Sequence, residues 1–145
     1  MKYFAVIDTN VVVSSMLKAN SIPGKIIDYI KTNTIIPLVN KEILDEYLDV
    51  LTRNEFDFDP IRIDKLIKII QEKGITLNRE QSLEDFIDED DIVFFEIVMS
   101  ARNTMDAYLI TGNMKHYPIR KYIVTPREMI EIIEKESGQF QKDCK

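Results

Sequence analysis

Tyr3-Phe4-Ala5-Val6-Ile7-Asp8-Thr9-Asn10-Val11-Val12-Val13 is the stretch on which the reading of this chain turns. Residues 3–7 are apolar, with β-branched and aromatic side chains, the composition of a short buried strand. The run ends on a carboxylate followed by two small polar residues. Asp8 therefore falls at the C-terminal end of a strand, where ligands and catalytic groups collect in open α/β sheets. An acid in that position can hold a divalent cation in a cleft. Asp is also a common helix N-cap, so this stretch alone leaves both readings open.

Working outward, strand and helix patterns alternate. Val11 to Lys18 reads as a short helix, and Ser21 to Gly24 as a break. Lys25 to Lys31 carries Ile26, Ile27 and Ile30 at helical spacing. Thr34 to Val39 reads as a second strand, with Pro37 placing it toward an edge or a bulge. Asn40 fits an N-cap, and from Lys41 to about Arg53 the apolar residues Ile43, Leu44, Tyr47, Leu48 and Leu51 define an amphipathic helix. After a break at 57–60, Ile61 to Lys73 forms another helix, stopped by Gly74. Ile75 to Leu77 is a short extended piece. Asp88 to Asp91 opens a helix reaching about Arg102, and Ala107 to Thr111 is a third strand ended by Gly112-Asn113. Tyr122 to Val124 is a fourth. Thr125-Pro126-Arg127-Glu128 is a helix-start signature; that helix is expected over about Pro126 to Lys135, with 137–145 a polar, frayed tail. Alternating strands and helices imply βαβ units and a mostly parallel sheet covered on both faces.

Composition sets the outer limits. At 145 residues, 45% hydrophobic and 30% charged, the chain suits one domain with a real core. No apolar run approaches the ~20 residues of a membrane span. The N-terminal apolar run is short, is interrupted by Asp8 and has no signal-peptide pattern. The one cysteine, Cys144, lies in a polar tail, so no internal disulfide or cysteine metal site is available. The expected compartment is the cytoplasm. A net charge of −6 argues against binding nucleic acid by general electrostatic attraction. It does not argue against a nuclease, because a bound divalent cation reverses the local charge of an acidic cleft.

Acidic and amide groups recur where a parallel sheet would gather them. Asp8 ends the first strand. Glu42 and Glu46 lie one helical turn apart. Asp88, Glu89, Asp90 and Asp91 open the helix before the third strand, which Asp106 precedes and Asn113 follows. Three to five converging oxygens suit Mg²⁺ or Mn²⁺ rather than zinc, which prefers His and Cys; His116 is the only histidine. Simpler readings stand beside each piece. Glu42 fits a solvated helix face, acids at 88–91 suit a helix N-terminus without any ligand, and Asn113 after Gly112 is ordinary turn chemistry. Phe94, Phe95 and Met99 read as core.

Four segments, spanning nearly the whole chain in order, resemble the PIN domain, in particular the bacterial and archaeal toxin components of toxin-antitoxin systems. They are 6–11; 43–47 continued through 50–53; 88–91 continued to Phe94; and Tyr108-Leu109-Ile110-Thr111-Gly112-Asn113-Met114-Lys115-His116-Tyr117-Pro118. The resemblance implies an α/β protein, a three-layer α/β/α sandwich with a mostly parallel central sheet, over residues 1–136. It implies a metal-dependent endoribonuclease using one or two Mg²⁺ or Mn²⁺ ions, with Asp8, Glu46 and Asp91 as its acids. The fourth position, often Asp in the family, is Asn113; its role can shift to Asp106, and Asp90 replaces Asp91 if the register slips by one. Thr9, Asn10 and Thr111 match small polar positions lining the site. Lys115, His116, Arg120 and Lys121 form a basic stretch that either meets RNA phosphates or is solvated. The implied partners are an RNA substrate and an antitoxin protein, and dimers are common in the family. Two other readings are a PIN-like domain that binds RNA or protein without cutting, favoured by Asn113, and a receiver-type phosphoacceptor. The latter needs paired acids after the first strand, where this chain has only Asp8.

Overall fold

The apolar run that opens the chain is the middle of a five-stranded sheet. The structure is a computed structural model describing residues 1–79 and 89–143, with side chains described for 1–79 and 91–138. The strands are β1 (Tyr3–Ile7), β2 (Ile35–Val39), β3 (Ile75–Thr76), β4 (Ala107–Ile110) and β5 (Ile123–Val124). The helices are α1 (Thr9–Leu17), α2 (Ile22–Lys31), α3 (Lys41–Leu51), α4 (Pro60–Lys73), α5 (Glu89–Arg102) and α6 (Pro126–Asp143). Sheet order is β3-β2-β1-β4-β5, and every described pairing is parallel. Parallel neighbours need long crossovers, which the helices supply. A sheet covered on both faces needs apolar residues at successive positions, and all five residues of β2 are buried. α2 packs on β2 with α4 and α6 against it, while α5 lies across β1, β2 and β4. The result is the expected three-layer α/β/α sandwich. Its core includes Ile7, Ile35, Leu38, Phe94, Phe95 and Ile97, each under 2% exposed; burying a side chain of this kind contributes about 1.5–3 kcal/mol.

Local chemistry sets the helix starts. Ser21 caps α2, accepting from the Gly24 N–H at 3.2 Å. Gly24 is required there, because a Cβ would collide with the Ala19 carbonyl. Asn40 caps α3 through the Ile43 N–H at 2.8 Å, and Asp59 caps α4 through the Ile61 N–H at 2.9 Å, with Pro60 in the first turn. At α6 the expected capping box is complete: Thr125 Oγ1 accepts from the Glu128 N–H at 3.1 Å, and Glu128 Oε1 accepts from the Thr125 N–H at 2.9 Å.

Five features differ from the sequence expectation, the first being that α2 begins at Ile22, inside the stretch expected as a break, because Ser21 caps it and Pro23 fits a first helical turn. α1 begins at Thr9 rather than Val11, so Thr9 and Asn10 belong to its first turn. β2 is not an edge strand, yet it holds Pro37 without a bulge. The Val39 carbonyl accepts from the Leu77 N–H, so alternate β2 residues, Pro37 included, face β3. The N–H that proline lacks would point to a level where the two-residue β3 has not begun. A 3-10 turn, Met114–His116, was not foreseen. Finally, α6 runs to Asp143 instead of ending near Lys135. The segment after Lys135 contains no proline, and one interior glycine, Gly138, costs a helix only about 1 kcal/mol. Asp88, one of the four acids before α5, lies outside the described residues.

Candidate active site

The strand order reverses at β1: β2 and β3 lie to one side, β4 and β5 to the other. Beyond the C-terminal ends of β1 and β4 the chains diverge and leave the crevice in which such sheets bind ligands. Asp8 stands at that point. Its N–H continues the ladder by donating to the Ile110 carbonyl at 2.9 Å, and its own carbonyl accepts from Val11 to begin α1. It occupies the N-cap position, but its side chain makes no capping bond. The carboxylate turns instead to the next strand's loop: Oδ2 accepts from Thr111 Oγ1 at 2.8 Å and from the Tyr117 hydroxyl at 3.0 Å. Asp8 is only 4% exposed. Both donors are neutral and both meet Oδ2, so they orient the carboxylate without supplying a positive charge.

The loop after β4 is built around this clamp. Thr111, fully buried, donates to Asp8 and accepts from the Asn113 N–H at 3.0 Å. Asn10 Oδ1 accepts from the Gly112 N–H at 3.0 Å, tying the first turn of α1 to the loop. Thr9 Oγ1 is buried with no hydrogen-bond partner, an arrangement that usually signals a missing polar partner such as water or an ion. Burial holds the Tyr117 hydroxyl well above the ordinary tyrosine range, and the charges of Asp8 and Asp91 push it the same way. Tyr117 is therefore a permanent donor. Tyr47, from α3, donates to the Ile7 carbonyl at the end of β1; burial first, then the charge of Asp8, raises it strongly as well. This bond seats α3 beside the crevice, with half-buried Glu46 as the preceding residue.

Asp91, in the first turn of α5, meets His116 Nδ1 at 3.1 Å. His116 Nε2 lies 3.0 Å from Asn113 Nδ2. Contacts thus run from Asp8 through Thr111, Asn113 and His116 to Asp91. Asp90 shares that turn of α5 in the backbone, but its side chain lies outside the described residues.

Residues 5–115 match the PIN domain family. The chain belongs to that family. PIN domains are generally Mg²⁺- or Mn²⁺-dependent nucleases. This PIN domain is also 30% identical over 151 aligned positions to the uncharacterized protein MJ1680 of Methanocaldococcus jannaschii, covering 93% of this chain and 94% of the relative.

The donor types of this PIN domain suit a hard divalent cation: the buried Asp8 carboxylate is oriented by two neutral hydroxyls, and the hydroxyl of Thr9, the next residue along the chain, is buried without a partner. Among the described residues, no three His, Cys, Asp or Glu side chains stand close enough to form a complete cation site. One expectation fails on position. Asp106 precedes β4 at the opposite end of the sheet, five residues before Thr111 along a parallel strand, or about 16 Å away. Its carboxylate pairs with Arg102 at 3.2 Å, so it cannot stand in for Asn113. Lys115 and Lys121 are exposed, as is Arg120, whose guanidinium donates to the Ile119 carbonyl. Glu42 is not simply solvated: it pairs with Arg79, which also binds buried Glu96. No helix among the described residues is long and apolar enough to cross a membrane.

Sequence reasoning missed Tyr117 and Glu96. Glu96 left a signal, as the one charge inside Ile92-Val93-Phe94-Phe95-Glu96-Ile97-Val98; a carboxylate in an apolar helix is buried only when paired. Tyr117 left only an aromatic residue in a polar loop.

Proposed function

We propose that this PIN domain, acting as a single unit over residues 1–136, is a metal-dependent endoribonuclease and the toxin of a cytoplasmic toxin-antitoxin pair. The observation that carries the site is Asp8: a buried carboxylate at the switch point, oriented by two neutral hydroxyls. Asp8, Asp91 and Glu46 hold one or two Mg²⁺ or Mn²⁺ ions, with Asn113 as a neutral donor. A bound ion of this kind lowers the pKa of water and offsets charge on a phosphodiester. Thr111 and Tyr117 fix the carboxylate of Asp8, so no reorganisation is needed when ligand arrives. Glu46 takes the proton of the attacking water. Lys115, Arg120 and Lys121, exposed just beyond the site, meet RNA phosphates. In this reading an antitoxin covers the crevice, and two copies of the chain pair as a dimer.

The test is incubation of the purified protein with structured and single-stranded RNA and Mn²⁺ or Mg²⁺, beside Asp8→Asn and an EDTA control. Metal-dependent cutting that disappears in the variant supports the reading; full activity of folded Asp8→Asn refutes the site. One observation favours a second reading, a PIN domain that binds without cutting. Position 113 offers an amide instead of a carboxylate, and that amide contacts His116. A folded wild type that binds metal through Asp8 but cuts no RNA, with cutting restored by Asn113→Asp, would establish it.

A further inference from the structure

Between Asp106 and Glu128 the chain carries four cations, Lys115, Arg120, Lys121 and Arg127, and no acid, within a molecule of net charge −6. Several cations elsewhere have carboxylate partners: Lys41, Arg53, Lys68, Arg79 and Arg102 each pair with an Asp or a Glu. Lys115, Lys121 and Arg127 are exposed and pair with no carboxylate among the described residues. This strip begins at the crevice. Lys115 lies in the 3-10 turn after Asn113, and Tyr117, two residues on, reaches Asp8 through its hydroxyl. Arg127 follows β5, so it stands at the same end of the parallel sheet as Asp8.

Among these cations is Ile119, 96% exposed. A lone exposed apolar side chain is ordinary on a protein surface, but the backbone around this one is braced. Before it, Tyr117 is buried and its N–H donates to the Met114 carbonyl at 3.2 Å. After it, the Ile123 N–H donates to the Arg120 carbonyl at 3.1 Å, and the Arg120 guanidinium donates to the carbonyl of Ile119 itself at 3.0 Å. The fold therefore holds the isoleucine out into solvent between cations. A partner for this strip needs negative charge and apolar surface side by side. An RNA strand with an unstacked base offers both: phosphates for the lysines and arginines, and a flat apolar face for Ile119. A duplex offers the phosphates but keeps its base faces inside the stack. We propose that residues 114–121, with Arg127, form the path by which RNA enters the crevice, and that Ile119 is a specificity-determining residue that packs on an unstacked base beside it. The inference rests on the RNA reading above and deepens it.

The test measures fluorescence anisotropy of labelled oligoadenylate, oligouridylate and the duplex formed by annealing them, in EDTA so that no metal-dependent cutting intervenes. Ile119→Ser should bind the single strands about fivefold or more weakly than wild type and bind the duplex unchanged. Ile119→Phe, which keeps an apolar contact, should bind the single strands at least as well as wild type. Lys115→Gln combined with Lys121→Gln should weaken binding to strands and duplex alike, and lower the slope of log affinity against log salt for the single strands by about 1.4. Equal loss on strands and duplex in Ile119→Ser would overturn the proposal, as would unchanged affinity for all three or no binding by wild type at low salt. Unchanged RNA affinity together with a wild-type dimer that Ile119→Ser dissociates would give the side chain to a second copy, and also overturn it. RNA that binds through Ile119 but stays uncut with Mn²⁺ or Mg²⁺ brings down the nuclease reading alone. Cutting by a protein whose single-strand affinity ignores Ile119→Ser brings down this inference alone.

Discussion

Asp8 and Asp106 flank adjacent parallel strands, and they have opposite fates. Asp8 follows β1 at the C-terminal end of the sheet, is 4% exposed and is held by two hydroxyls from the next strand's loop. Asp106 precedes β4 at the other end, its side chain 82% exposed, and pairs with Arg102 one helical turn back. One is buried without a cation; the other is solvated with one. Residue type therefore says little by itself. What separates these two acids is the end of the sheet each occupies and whether its partners neutralise it or only orient it.

The comparison breaks first at Asp8→Asn. The amide keeps an oxygen for Thr111 and Tyr117, so folding stability should stay within about 1 kcal/mol of wild type. Metal-dependent RNA cleavage should fall on the order of 10²-fold or more, and rate measurements on single-stranded RNA decide it. Next is Thr111→Val, which removes one bond to the carboxylate and leaves the Asn113 N–H without its acceptor. We expect a loss of about 10–100-fold in Mn²⁺ affinity and about 1.5–3 kcal/mol of stability, read by calorimetry and urea unfolding.

A third effect is a pH dependence. Tyr47 and Tyr117 titrate in the folded state well above the unfolded value near 10. Folding therefore favours their neutral form, and that stabilisation is complete below about pH 10. Above it, the unfolded chain releases protons that the folded chain keeps, so stability falls by about 1.4 kcal/mol per pH unit for each tyrosine. Tyr117→Phe should lower the slope of unfolding free energy against pH between 10 and 11. An unchanged slope would remove Tyr117 from the buried clamp. The smallest effect belongs to Asp106→Asn: unchanged cleavage, and less than about 1 kcal/mol in stability for an exposed ion pair. A cleavage defect there would erase the contrast between the two ends of the sheet.

Much of this contrast was legible in the sequence. The apolar run ending on Asp8, and Gly112-Asn113 after the strand ending at Ile110, located the crevice, because strand ends are marked by abrupt changes in polarity. The side of the sheet to which Asp106 belongs was equally available from its place before β4. Tyr117 was not legible, since its role depends on a 3-10 turn that returns the chain toward β1, and short turns leave weak periodic signals. The Arg79–Glu96 pair joins a residue beyond the end of β3 to one on α5, 17 positions apart, a contact no local pattern encodes. The extent of α6 was underestimated because polar residues without proline fit a helix as well as a tail.

The hydroxyls that clamp Asp8 arrive late. They belong to residues 103 and 109 positions further along the chain. During synthesis, β1 and its carboxylate leave the ribosome long before β4 exists to pair with them. A nascent or prematurely terminated product that stops short of Tyr117 carries the acid without its full clamp. The carboxylate at the centre of the sheet is thus among the first parts of the molecule to be made and among the last to be fixed in place.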